Sequence, residues 1–232
     1  MSNNVDVLCV AETKLDKSYP MSQFCLAGYK RPYRLDVTDA SGGLLVYVNS
    51  AIPSRPLSTL SMPIDMQVLL IELNLRHHKW LLISIYRHKS QNLKHFLTNL
   101  SLLIEHYSSS YESVVILGDF NATPTNNELV TFMSALSLYS LINTPTCFKS
   151  VEGSCIDLIL TNKKHSFQKT QSFETGVSDH HHMVYTMLKQ TFIALPHKKL
   201  LIDLLKNFQL IRLRPTWKLI SLKKLTQEIF LP

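Results

Sequence analysis

The sequence predicts an α/β (α+β) domain, a four-layer α-β-β-α sandwich of two mainly antiparallel or mixed sheets. Three observations carry this expectation. Short apolar, β-branched runs recur along the chain at 5–10, 43–48, 68–73, 81–86, 114–117, 156–161 and 183–187. Helical periodicity interrupts them only in the middle of the chain, so the order reads β-β-β-β-α-β-α-β-β, which packs sheet on sheet with helices outside. Hydrophobic residues make up 45% of the 232 and charged residues 18%, enough apolar surface for a full core and too little charge for a disordered chain.

The first helix follows from Leu93, Phe96, Leu97, Leu100, Leu103, Ile104 and Tyr107, which recur at three- and four-residue steps and so share one face. A second begins with Asn126 or Asn127 as N-cap and buries Leu129, Phe132, Met133 and Leu136. Ser108 to Ser110 reads as a short polar loop between elements.

The composition changes after Leu188. Nine of the 24 Lys and Arg, but only two of the 17 Asp and Glu, lie from Lys189 onward, leaving 15 of each sign before it. The net charge of +7 therefore belongs to the last segment, and the body is neutral. The expected division is a domain over 1–188 and a basic tail over 189–232, partly helical and outside the core. The body's charge gives no argument for nucleic-acid binding.

Cys9, Cys25, Cys147 and Cys155 form no CxxC pair and read as buried free thiols of a reducing compartment. There is no run of 18 apolar residues to span a membrane. The start of the chain lacks a basic n-region, and Asp6 and Glu12 bracket its short apolar run, unlike a signal peptide. The expected location is intracellular, nuclear or cytoplasmic.

Four local patterns carry chemistry. Leu117-Gly118-Asp119-Phe120-Asn121 follows an apolar strand, and an acid and a carboxamide two residues apart can face the same way. Such a pair can orient a water and hold a phosphate oxygen, although Asx residues also simply end strands. Ser178-Asp179-His180 precedes another strand and offers a carboxylate beside an imidazole that titrates near neutral pH. The triplet His180-His181-His182 raises zinc, but no second Cys/His cluster stands at ligand spacing, so His181 and His182 read as packing or surface residues. Glu12 closes the first strand, where a carboxylate can serve a hard cation or merely sit on the surface beside Lys14. Asp157 is an acid within an apolar strand; burial makes it need a partner, and His180 is the natural one.

Taken in order, Glu12-Thr13-Lys14, Gly42-Gly43, Tyr86, Gly118-Asp119-Phe120-Asn121, Ile156-Asp157 and Ser178-Asp179-His180 resemble the endonuclease/exonuclease/phosphatase superfamily, from about Val5 to Leu188. The finer texture resembles the nuclease domain of non-LTR (LINE-type) retrotransposons: Thr13-Lys14-Leu15-Asp16, Ala27-Gly28-Tyr29, the strand start at Gly42-Gly43, and Thr161-Asn162. Two departures stand out. Family members begin with another strand bearing an Asn, and a chain starting Met1-Ser2-Asn3-Asn4 is expected to be N-terminally truncated, without that strand. Tyr86 is followed by Arg87-His88-Lys89, where the family often places a Pro.

The resemblance implies metal-assisted in-line hydrolysis of a phosphodiester, with Mg²⁺ as cofactor, Mn²⁺ as substitute and DNA as substrate. From the sequence no membrane association is expected and no protein partner is predicted. By that resemblance Glu12 and Asp179 serve the metal, and Asp119 orients or deprotonates the attacking water. Asn121 holds the phosphate or the nucleophile, Tyr86 leans on the scissile phosphate, and His180 supported by Asp157 stabilises the oxyanion. Three functions remain open at this level: a DNA-nicking endonuclease, a truncated relic that cleaves nothing, and a phosphatase of the same fold.

Overall fold

A computed structural model describes residues 5–37, 41–59, 62–63, 65–75, 78–174, 182–189 and 199–203, the last of these through the backbone alone. Its strands are β1 (Val5–Ala11), β2 (Tyr33–Leu35), β3 (Leu44–Val48), β4 (Ser54–Pro56), β5 (Gln67–Leu75), β6 (His78–Tyr86), β7 (Ser113–Asp119), β8 (Tyr139–Ser140), β9 (Asp157–Thr161), β10 (Phe167–Phe173), β11 (Met183–Leu188) and β12 (Lys199–Asp203). The helices are α1 (Leu93–Ser108) and α2 (Asn127–Ala135). Among the described residues the strands form two six-stranded sheets, ordered β10-β11-β12-β1-β3-β2 and β4-β5-β6-β7-β9-β8. Both are mixed: β1 pairs parallel with β12 and β6 parallel with β7, while the remaining neighbours run antiparallel.

Alternation along the strands divides the core into layers. In the second sheet Leu81, Ile83, Ile116 and Leu158 face the helices, packing on Phe96, Leu97, Leu100, Leu129 and Phe132. Their neighbours Leu82, Val115, Leu117 and Ile159 point the other way and meet Val7, Cys9, Val46 and Val184 of the first sheet. This is the two-residue period of a strand buried on both faces. The outer face of the first sheet, with Val5, Leu8, Val10 and Tyr47, is covered by Leu15 and by Phe24 from the 3₁₀ turn Met21–Phe24.

Both helix starts are capped as their sequences require. The Asn92 side chain accepts from the His95 N–H in α1. Asn126 rather than Asn127 caps α2, accepting from Glu128 and Leu129. The four cysteines are free thiols; Cys9 and Cys147 are buried as expected, but Cys25 is exposed and Cys155 half-buried. Among the described residues no helix is long and apolar enough to cross a membrane.

The division at Leu188 needs correction. Lys199–Asp203, expected in a partly helical tail outside the core, is a strand in the interior of the first sheet, parallel to β1 and antiparallel to β11. The three apolar residues Leu200, Leu201 and Ile202, bounded by Lys199 and Asp203, carry no periodicity that separates strand from helix. The sheet decides: the facing edges of β1 and β11 present two ladders of donors and acceptors that only an extended segment satisfies. Apart from Lys189, the rest of the segment lies outside the described residues.

Candidate active site

The site forms where strand ends meet. Because β6 and β7 run parallel, Tyr86 and Asp119, the last residues of each, arrive at the same edge and pair in register. β9 runs antiparallel to β7, so its first residue, Asp157, pairs with Asp119 at that edge. The result is a row Tyr86, Asp119, Asp157 across the second sheet, with both acids fully buried. From the opposite sheet Glu12, immediately after β1, reaches the row: the Tyr86 hydroxyl donates to Glu12 Oε1 at 2.6 Å.

Asn121 joins through the turn after β7. Its main-chain N–H donates to Asp119 Oδ1 at 2.8 Å, and its side-chain Nδ2 donates to Asp119 Oδ2 at 3.1 Å. Both oxygens of this carboxylate are thus oriented by one neighbour. The backbone here is constrained: Glu12, Lys14 and Asn121 have φ of 55°, 54° and 46°, a left-handed region that non-glycine residues enter at a cost. The Glu12–Lys14 turn is held by main-chain bonds from Thr13 to Gly43 and from Lys14 to Gly42, and a Cβ on Gly43 would lie 2.4 Å from Thr13 Oγ1. Gly118 is equally required. At φ 144° its place against β6 would put a Cβ 1.9 Å from the Ile85 carbonyl oxygen. These contacts give a physical reason for the glycines of the Gly42-Gly43 and Gly118-Asp119 motifs.

Burial is the main reason the Tyr86 phenol is pushed well above its ordinary value, followed by its bond to Glu12 and the nearby charges of Glu12 and Asp119, against which Arg87 acts in the opposite direction. Tyr86 therefore stays protonated and acts as a hydrogen-bond donor.

Two residues that the sequence reading did not single out as functional support the row. Thr146, fully buried, accepts through Oγ1 from the N–H groups of Ile156 and Asp157 at 3.2 and 3.1 Å. Its carbonyl accepts from His182 N at 2.8 Å, which ties the start of β9 to the start of β11. Arg87, also buried, binds the carbonyls of the turn that carries Asn121. A threonine in a loop and an arginine after a strand carry no pattern that marks them; only the fold brings them to the site.

Of the residues expected to act, Glu12, Tyr86, Asp119, Asn121 and Asp157 come together, while Asp179 and His180 lie outside the described residues. His182 stands with its ring against Phe148, centroids 4.3 Å apart. Among the described residues no group of three or more His, Cys, Asp and Glu is gathered to hold a metal ion. The donor chemistry at the edge nevertheless suits a hard cation, since Glu12, Asp119 and Asn121 offer oxygens and the nearby Cys155 thiol is turned to the Ile142 carbonyl.

A family model described as the endonuclease/exonuclease/phosphatase family matches residues 2–180. The chain belongs to that family. Its fold is shared with solved members at low identity. The 3′ phosphatase NExo from Neisseria, solved as a variant bound to product DNA hairpin, is 16% identical at TM-score 0.64, covering 81% of this chain and 90% of its own. The endonuclease domain of TRAS1, a telomere-specific non-LTR retrotransposon, is 13% identical at TM-score 0.59, covering 80% of this chain and 99% of its own. The Xenopus laevis APE2 catalytic domain is 16% identical at TM-score 0.58, covering 85% and 84%. At these identities the likeness is one of fold. No curated protein matches the chain in sequence.

Proposed function

We propose that this member of the endonuclease/exonuclease/phosphatase family is a metal-dependent phosphodiester hydrolase that nicks DNA, as the endonuclease of a non-LTR retrotransposon. The observation that carries the reading is the row Tyr86-Asp119-Asp157, closed from the facing sheet by Glu12. It gathers a protonated phenol, two buried acids and a third carboxylate at one edge, as acid–base and phosphate chemistry requires.

Asp119 takes the proton of the attacking water, and its orientation is set by the two bonds from Asn121. Asn121 Nδ2 already donates to Asp119 and to the Arg87 carbonyl, which favours a part in fixing the nucleophile over one in donating to the phosphate. Tyr86 donates its hydroxyl hydrogen towards negative charge, here that of Glu12. By the family resemblance His180 would steady the oxyanion with Asp157 as its support, and Asp179 with Glu12 would hold the divalent ion. The chemistry supplied by a bound Mg²⁺ or Mn²⁺ is Lewis-acid neutralisation of phosphate charge.

The test is nicking of supercoiled plasmid by the full chain with Mg²⁺ or Mn²⁺. Asp119→Ala and His180→Ala are expected to cost on the order of 10²-fold each, the usual scale for an acid–base or oxyanion-stabilising group. His182→Ala is expected to be mild. A folded chain that leaves plasmid and single-strand DNA intact but releases phosphate from a 3′-phosphorylated oligonucleotide would replace nicking with phosphatase action at the same residues. A folded chain that attacks neither would refute the enzyme reading.

A further inference from the structure

Arg87 immediately follows Tyr86 and is 4% exposed. A buried guanidinium is expensive unless its donors are satisfied. Here main-chain carbonyls satisfy them. Nε donates to Phe120 O at 2.6 Å, Nη2 to Asn121 O at 2.8 Å, and Nη1 to Gln91 O at 2.5 Å and His88 O at 3.3 Å. The Arg87 main-chain N–H donates to Asp119 O at 2.9 Å. Three successive carbonyls, of Asp119, Phe120 and Asn121, are therefore held by one residue.

The return bond matters as much. Asn121 Nδ2 donates to the Arg87 carbonyl at 2.8 Å as well as to Asp119 Oδ2 at 3.1 Å. A carbonyl and a carboxylate can only accept, so together they dictate which way the Asn121 amide is turned. Asn121 itself sits at φ 46°, a conformation that a turn keeps only when its surroundings enforce it. The planar fork of arginine can bind several fixed carbonyls at once, which the single ammonium of lysine cannot reproduce.

We propose that Arg87 is a positioning residue: it clamps the Asp119–Asn121 turn so that the acid and the carboxamide hold the geometry of cleavage. The clamp acts through the main chain, and Arg87 itself touches no substrate. For its kinetic arm the proposal rests on the nuclease reading above; its structural arm does not.

The experiment uses the full chain, ¹⁵N-labelled, as wild type and as Arg87→Lys, with folding followed by near-ultraviolet circular dichroism. In the wild type the Arg87 Nε–H is expected to exchange at least about tenfold slower than a free arginine, as a buried bonded donor should. In Arg87→Lys the Asn121 side-chain amide signals are expected to move. With DNA, kcat is expected to fall on the order of 10²-fold, the scale of a small misplacement at a reaction centre, with KM within about threefold. In Arg87→Ala, added methylguanidinium is expected to restore part of kcat. The clamp is overturned if the wild-type Nε–H exchanges at the solvent rate, or if folded Arg87→Lys leaves the Asn121 amide signals in place. It is also overturned if KM rises with kcat unchanged, which would make Arg87 a substrate contact. If the wild type cleaves nothing, the nuclease reading fails and the amide signals alone decide the clamp. If Arg87→Lys does not fold, the wild-type exchange rate decides it.

Discussion

Single residues at the site do work that their types alone do not reveal. Tyr86 is a phenol kept protonated by burial and by the carboxylate it donates to, while Asp119 is oriented by both nitrogens of Asn121. Away from the site, Glu72 shows the opposite balance. Arg55 binds it through two nitrogens at 3.0 and 2.9 Å, and the Tyr111 hydroxyl donates to it at 2.5 Å. The Arg55 bond, then the Tyr111 bond, pull the Glu72 carboxyl from 4.5 down to about 2. The fold therefore favours the ionised form. Its contribution is full above about pH 4.5 and is lost as pH falls through about 2. Since Arg55 is solvent-exposed and screened, Glu72→Gln is expected to lower Tm by only about 2–4 °C at pH 7. That gap should close as the pH approaches 2 in parallel melts; a gap that stays constant on acidification would show that lost packing, not charge, is responsible.

At the scale of elements, parallel pairing does the decisive work. β6 and β7 deliver two candidate site residues, Tyr86 and Asp119, to one edge because they run the same way, and α1 is the connection that allows it. β12 has the same relation to β1, and Asp203 at its end pairs with Val10 near the Glu12 edge. Interior strands are costly to remove, because both neighbours lose their ladders. A chain ended at Leu188 is therefore expected to lose on the order of several kcal/mol, lowering Tm by roughly 10 °C or abolishing cooperative unfolding. A melting transition unchanged by that truncation would show that β12 adds nothing to the sheet and would restore the division at Leu188.

The whole molecule presents a neutral body and a basic final segment, so charge alone does not explain how its edge would meet a polyanion. A divalent ion at the carboxylates would. Chelator is accordingly expected to abolish nicking, with Mg²⁺ or Mn²⁺ restoring it. Zinc at equal concentration should not, since oxygen donors rather than thiolates stand at the edge. Rescue by zinc alone, measured on the same plasmid, would shift the metal to the histidine triplet and overturn the oxygen-ligand assignment.

The layered architecture and much of the candidate site were legible in the order of residues. The apolar, β-branched runs and the helical spacing from Leu93 to Tyr107 are local properties, and they survive in β5, β6, β7, β9 and α1. Glu12, Asp119 and Asn121 could be named as candidates because their motifs stand in the family's order; the strand ends alone left a surface or turn role open. The polar strand Phe167–Phe173 and the short edges Tyr33–Leu35, Ser54–Pro56 and Tyr139–Ser140 were not legible, since pairing partners rather than composition make them strands. Lys199–Asp203 was misread for the same reason. Thr146 and Arg87 show the limit most clearly. Their value lies in hydrogen bonds to main-chain groups 10 to 34 positions away, and main-chain groups are the same at every position. Nothing in a sequence marks which main-chain N–H or carbonyl will need a side-chain partner; folding makes that choice, by burying the group beside the residue that can supply one.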